Sequence, residues 1–350
     1  MSTPPPGAGR FRSYLQFVAA VLYFFVARSL AQRGALALVA GSQTVLQPLS
    51  PLMEQAFLAL LLVLGYGGMG FWLDRQQHPV SEQGWPRRPG WSAEAGTGLA
   101  LGWAISLACV LPLTLLGGIA IALSLELSSW EWLLADAAFF ALAALAEEVA
   151  FRGYGFQRFA HAVGPAGAAL GFAAYYAILQ AFLPGASYAS IMVSVALSLL
   201  LSMAYLRTGA LWLSWGLNFG WKASRALFFG LAVSGVSSHS PVVQGDPMGP
   251  FWLTGGGFGL DGSWVAFVLL LAALPVVYRL THDLDYRYDA PVIVPGGIPV
   301  DLDAAARSRH EAALGATTPA APALVQILPA TPPAGNPGHP PAGVNAVSKD

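Results

Sequence analysis

Cysteine and charge are what this chain has least of. A single cysteine in 350 residues excludes an intramolecular disulfide and any cysteine-built zinc site, and Cys109, set in an apolar run, reads as a buried inert thiol. Only 10% of the residues are charged against 55% hydrophobic, too little charge for an ordinary soluble domain. The formal net charge of −1 leaves no basic footprint for nucleic acid. Histidine is also poorly placed: His78, His239, His282, His310 and His339 fall in loops or tails and His161 in a short turn. Without a converging His or Cys set, the sequence predicts no metal and no other cofactor.

What is present is apolar length. Runs able to cross about 30 Å of hydrocarbon occur at Tyr14–Leu38, Pro51–Leu73, Thr97–Leu123, Trp132–Phe156, Gly164–Leu183, Tyr188–Leu206, Ala210–Val233 and Trp264–Leu280. The expected fold is all-α, a polytopic membrane bundle of about eight transmembrane helices spanning residues 14–282. A proline- and glycine-rich lead, 1–13, lacks the apolar core of a cleavable signal sequence. The Pro/Ala-rich tail, 283–350, lacks apolar periodicity and reads as largely disordered, with a short helix at Leu302–Leu314 ahead of its most biased part. Arg75–Trp91 reads as a surface loop. The glycine-rich, aromatic stretch Ser234–Ser263 reads either as a re-entrant cap or as an ordinary outer loop.

Arginine bias gives an orientation. An N-terminus in the cytoplasm puts Arg10, Arg12, Arg75, Arg87, Arg88, Arg158, Arg207, Arg279 and Arg287 on one side and only Arg28 and Arg33 on the other. Both termini are therefore expected in the cytoplasm, the protein in the cytoplasmic membrane.

Charges inside the spans are few enough to take singly. The fourth span ends ALAALAEEVAFRGYGF, two adjacent carboxylates and a guanidinium after ten alanines, leucines and phenylalanines. Each costs about 2.5–3.5 kcal/mol at a helix centre, so the cluster is expected to face a bundle interior. Glu148 and Arg152 are four apart with the acid first, the better orientation for a pair. Glu147 lies about 100° around the axis and is left to face something else. Asp136 reads as an acid near a helix N-terminus. Gln180, on the face of Tyr176, reads as a helix–helix hydrogen bond or a cavity group. Asn218 and Lys222 share a face of the seventh span, with Arg225 about one turn on; both cations read either as snorkelling to the interface or as cavity groups. Ser214 and Ser224 near Lys222 are commonplace, and a serine–lysine dyad is the weaker reading.

EEVAFRG resembles the first motif of the CPBP (CAAX protease and bacteriocin-processing) family, which includes the type II CAAX prenyl endopeptidases. YLRTGALWLSWGLNFGW is similar to that family's passage into its last motif, and GPFWLTGGGFGLDGS to a segment found after it; the likeness covers about residues 55–282. The resemblance implies an intramembrane endopeptidase acting on a membrane-embedded peptide or protein, with Glu147, Glu148 and Arg152 as the catalytic set and a glutamate-activated water attacking the peptide carbonyl. The family's second motif, phenylalanine and histidine, falls on Tyr176 and Gln180. Its third, histidine and then asparagine or aspartate, falls on Asn218 and Lys222. Both motif histidines are thus replaced, and an ammonium at position 222 can compete with water for Glu147. Three functions stay open: an endopeptidase with retained or weakened activity, a pseudoprotease binding a membrane peptide or partner in the same cavity, and, ranked last, a transporter or channel using the intramembrane charges. The cavity is expected among the fourth, fifth and seventh spans, open toward the cytoplasm.

Overall fold

The computed structural model describes residues 8–41, 47–124, 126, 129–240 and 242–281, with the backbone of 292–293 and 299–300. The chain divides into two compact units, Met1–Ala290 and Pro291–Asp350. Of the second unit the described part is an antiparallel pairing of β3 (Val292–Ile293) with β4 (Pro299–Val300). The rest of the expected disordered tail and the Leu302–Leu314 helix lie outside the described residues.

The first unit is an all-α membrane helix bundle. Its long helices are α1 (Ala8–Gly41), α2 (Ser50–Asp74), α4 (Trp91–Leu115), α5 (Ser129–Arg152), α7 (Pro165–Ala181), α8 (Tyr188–Thr208), α9 (Leu211–Ala223) and α11 (Trp264–Leu280). Short helices α3 (Pro79–Glu82), α6 (Tyr154–Val163) and α10 (Phe251–Thr254) lie between them. Gly9–Gly41, Gln47–Asp74, Trp91–Leu115 and Tyr188–Thr208 are long and apolar enough to cross a membrane on length and composition alone. The other four long helices are shorter or carry the charges described below.

Three spans end sooner than the hydropathy pattern predicts. The third stops at Leu115; Gly117, at φ 76°, turns the chain, and β1 (Ile119–Leu123) pairs antiparallel with β2 (Val243–Pro247) instead of extending the helix. The fourth stops at Arg152. The chain breaks at Gly153, whose ψ of −141° leaves the helical region and where a Cβ would strike the Val149 carbonyl, and α6 leaves in a new direction, its apolar residues on one face. The seventh continues past α9 through a π-helical turn, Ser224–Phe228, and ends before Gly230 at φ 64°.

Two large apolar clusters organise most of the bundle. One joins α1, α2, α5, α6 and α7 through residues such as Phe24, Leu62, Phe151, Phe156 and Phe172. The other joins α4, α8, α9 and α11 through Cys109, Leu197, Trp221 and Leu270. Glycine sets the closest approach in the second. A Cβ at Gly98 or Gly102 of α4 would collide with the backbone of α9, and one at Gly216 or Gly220 of α9 with the backbone of α4. Two glycine pairs at four-residue spacing face each other, the packing small residues allow where no water drives helices together. This contact holds α9, and with it Asn218 and Lys222, in depth and rotation.

One end of the bundle gathers arginine. Arg12 and Arg158 both pair with Asp74 at the end of α2, at 3.8 and 3.4 Å. At the opposite end, residues 229–240 and 242–263 fold back over the helices as a cap. Asp136 anchors the cap: its carboxylate accepts from the backbone N–H groups of His239 and Ser240, both at 2.8 Å, and lies 3.0 Å from His239 Nδ1. Since α5 begins at Ser129, Asp136 sits about two turns inside the helix, so the helix-terminus reading of this acid gives way to a loop anchor.

Candidate functional site

The site lies between α5 and α9, beside a third, smaller apolar cluster of Phe140, Ala223, Ala226 and Val233. On α5, Glu148 and Arg152 are almost fully buried, with Arg152 Nη1 3.4 Å from Glu148 Oε1. Arg152 Nη2 donates to the carbonyl and hydroxyl of Ser198 on α8, at 2.9 and 3.1 Å. The guanidinium thereby fastens the end of α5 to α8 and leaves Glu148 aimed at α9.

Glu147, one position earlier, faces a different way. Its side chain keeps 28% exposure and lines a cavity of about 220 Å³. Both of its oxygens have protein partners. Oε1 is ion-paired with Nζ of Lys222, and Oε2 accepts from Nδ2 of Asn218 at 3.1 Å. The same Asn218 amide donates to Glu148 Oε1 at 3.0 Å. Asn218 and Lys222, four apart on α9, thus take up both glutamates from one helix face. The snorkelling reading of Lys222 fails because its nearest anion is Glu147, across the helix interface.

Tyr176 and Gln180 of α7 line the same cavity. Tyr176 stacks edge-on against Phe151 with centroids 5.0 Å apart. Gln180 makes no bond to either glutamate; its Nε2 donates to the Ser234 hydroxyl in the cap at 3.1 Å. This replaces the expected helix–helix hydrogen bond with a helix–loop one.

The cavity differs from expectation in its walls and its direction. α1 and α2 contribute Phe24, Arg28, Glu54 and Leu58, and the cap contributes Val233, Ser234 and Val236. From Glu147 the lining runs through Ala143 and Phe140 on α5 and through Leu179 and Leu183 on α7, toward the capped end and away from the arginine-rich one. The expected opening toward the arginine-rich end is therefore corrected: α5 and α7 run antiparallel, and their halves nearest the cap are the ones that line the space.

Behind Ser234 lies a second buried pair that sequence reasoning missed. Arg225 of the π-helical turn is 2.7 Å from Asp261 of the cap, and its guanidinium lies 4.0 Å from the Trp221 ring centroid. Arg225 is fully buried, so it does not reach an interface. Asp261 also accepts from Ser234 N and Oγ, at 2.9 and 2.8 Å. Burial pushes the Asp261 carboxyl up, but the charge of Arg225 and the hydrogen bonds from Arg225 and Ser234 outweigh it and hold the group below its ordinary value. The separation of 36 residues between Arg225 and Asp261 left no local signal for the pairing.

Ser214 and Ser224 donate to the backbone carbonyls of Leu211 and Gly220; neither hydroxyl is directed at Lys222, so no serine–lysine dyad forms. Among the described residues no group of three or more His, Cys, Asp or Glu side chains gathers as a ligand set would.

Residues 129–224 match the family model described as type II CAAX prenyl endopeptidase Rce1-like. That stretch runs from the start of α5 to the residue after α9 and contains all the sequence-predicted site residues, from Glu147 to Lys222. No curated protein and no solved structure matches the chain.

Proposed function

We propose that this multi-pass membrane protein, whose residues 129–224 form an Rce1-like domain of the type II CAAX prenyl endopeptidase family, uses the family's cavity to bind an apolar membrane peptide without cutting it. The observation that carries this reading is the ion pair between Lys222 and Glu147. A glutamate that activates water must turn an open lone pair to that water, and protein donors on its oxygens compete for that place. Here one oxygen of Glu147 is held by Lys222 and the other by Asn218. The Asn218 amide spends its donors on the two glutamates and the Gln180 amide gives one of its two N–H groups to Ser234, which leaves little to receive a developing oxyanion. What remains is a mostly apolar pocket with a polar end, the character of a binding site. The arginine-rich end, with Arg12, Arg75, Arg88, Arg158, Arg207 and Arg279, is read as cytoplasmic, with both termini on that side, so the cavity lies in the opposite half of the membrane.

A second reading keeps hydrolysis. It rests on the exposure of Glu147 to the cavity, which leaves room for a water on that side of the carboxylate. Purified protein in nanodiscs, incubated with a farnesylated fluorogenic peptide and with its unmodified form, separates the two. Saturable retention of peptide with no product beyond that of a Glu147→Ala control supports binding alone. Product that disappears in Glu147→Ala establishes the protease.

A further inference from the structure

A relay of hydrogen bonds runs from the cap to the cavity wall. Asp261 is ionised at neutral pH, pinned by Arg225 at 2.7 Å, and a carboxylate only accepts. The Ser234 hydroxyl, 2.8 Å away, must therefore donate its one proton to Asp261. Its lone pairs are then left to accept, and the group that meets them is the Gln180 amide at 3.1 Å. Only the NH2 end of that amide can fill this role, so the relay sets which way the amide faces. Ser234 is held in place for this by a second bond, from its own backbone N–H to Asp261 at 2.9 Å. It also sits at φ 49°, a conformation a serine adopts only when its surroundings impose it.

We infer that Asp261 is a positioning residue for the cavity's polar wall: through Ser234 it turns the carbonyl oxygen of Gln180 toward the cavity, which thereby takes ligands that bring an N–H donor. The chemical class this fits is a peptide amide, whose N–H would meet the Gln180 oxygen while its side chains lie against Phe139, Phe140 and Leu179. The inference rests on the binding reading above and adds what the site selects. A histidine at position 180 would make a different demand on Ser234, so the relay belongs to this chain's own residues.

The test uses two labelled probes in nanodiscs: a capped leucine–phenylalanine dipeptide and its ester analogue, in which oxygen replaces the central N–H. Native protein should retain the amide about tenfold more tightly than the ester, the scale of one hydrogen bond that leaves a buried acceptor unmet when lost. Ser234→Ala removes the relay without unpairing Arg225 and Asp261, and should bring the two probes near parity, with the larger loss on the amide. Asp261→Asn should do the same if it folds. A purely structural role for Ser234 would weaken both probes together. Equal binding of both probes by native protein, or a preference that survives in Ser234→Ala, overturns the inference and leaves the binding reading standing. Failure of native protein to retain either probe removes both.

Discussion

The ammonium of Lys222 and the carboxylate of Glu147, 75 residues apart in the chain, form the ion pair that joins α9 to α5 and occupies one of the two oxygens of the would-be base. Lys222 is positioned by the glycine contact of α9 with α4, and Glu147 by the fastening of α5 through Arg152. The state of the site therefore depends on packing remote from it, which is where the first prediction applies.

Gly102→Val or Gly220→Val should drive α4 and α9 apart, because the added carbons meet backbone, which cannot step aside. The cost should be no less than the roughly 1–3 kcal/mol of ordinary overpacking, read as a lowered unfolding midpoint in detergent. Gly68→Val, at a position with nothing near its missing Cβ, is the control and should leave stability unchanged or raise it by a few tenths of a kcal/mol, since valine is the better helix former (~0.5 kcal/mol).

Arg152→Met should be among the most destabilising single changes in the protein. It leaves Glu148, fully buried, without its cation, a loss of about 3–5 kcal/mol for a broken buried pair. The double change Glu148→Leu with Arg152→Met should recover much of that loss, since replacing a buried pair with apolar groups is often neutral. Equilibrium unfolding of the two variants checks the order, and a double variant less stable than the single would contradict it.

The cap should loosen in acid. Asp261 is held below its ordinary value near 3.8, so its unfolded form takes up protons at a higher pH than its folded form. Its contribution to stability is complete above the unfolded value and is lost as pH falls through the lower folded one. Stability attributable to Asp261 should be flat from neutrality to about pH 5 and fall below the ordinary carboxylate range. The difference between native and Asp261→Asn midpoints should shrink over the same acidic interval. A difference that shrinks between pH 7 and 5 would assign the effect to another group.

Much of this was legible because the relevant signals are local. The i, i+4 spacing of Glu148 and Arg152 and of Asn218 and Lys222 sufficed to place each pair on one helix face, and hydropathy sufficed for the bundle. The cap was not legible: Asp136 with His239 and Arg225 with Asp261 join residues 103 and 36 apart, and no periodicity reports such pairings. The wall contributed by Arg28 and Glu54 was hidden for the same reason. The facing glycines were visible as two four-residue repeats, GLALG and GLNFG, but a repeat on one helix does not say which helix answers it. β1 was lost inside an apolar run because Ile119–Leu123 suits a strand in contact with β2 as well as a longer helix.

The most direct test of the central claim is the rate of peptide hydrolysis by native protein beside Lys222→Asn, both in nanodiscs with a farnesylated fluorogenic peptide. The account predicts no turnover by native protein above a Glu147→Ala background, and turnover by Lys222→Asn that Glu147→Ala removes. Native turnover that depends on Glu147, or a Lys222→Asn variant that stays silent while folded, would contradict it.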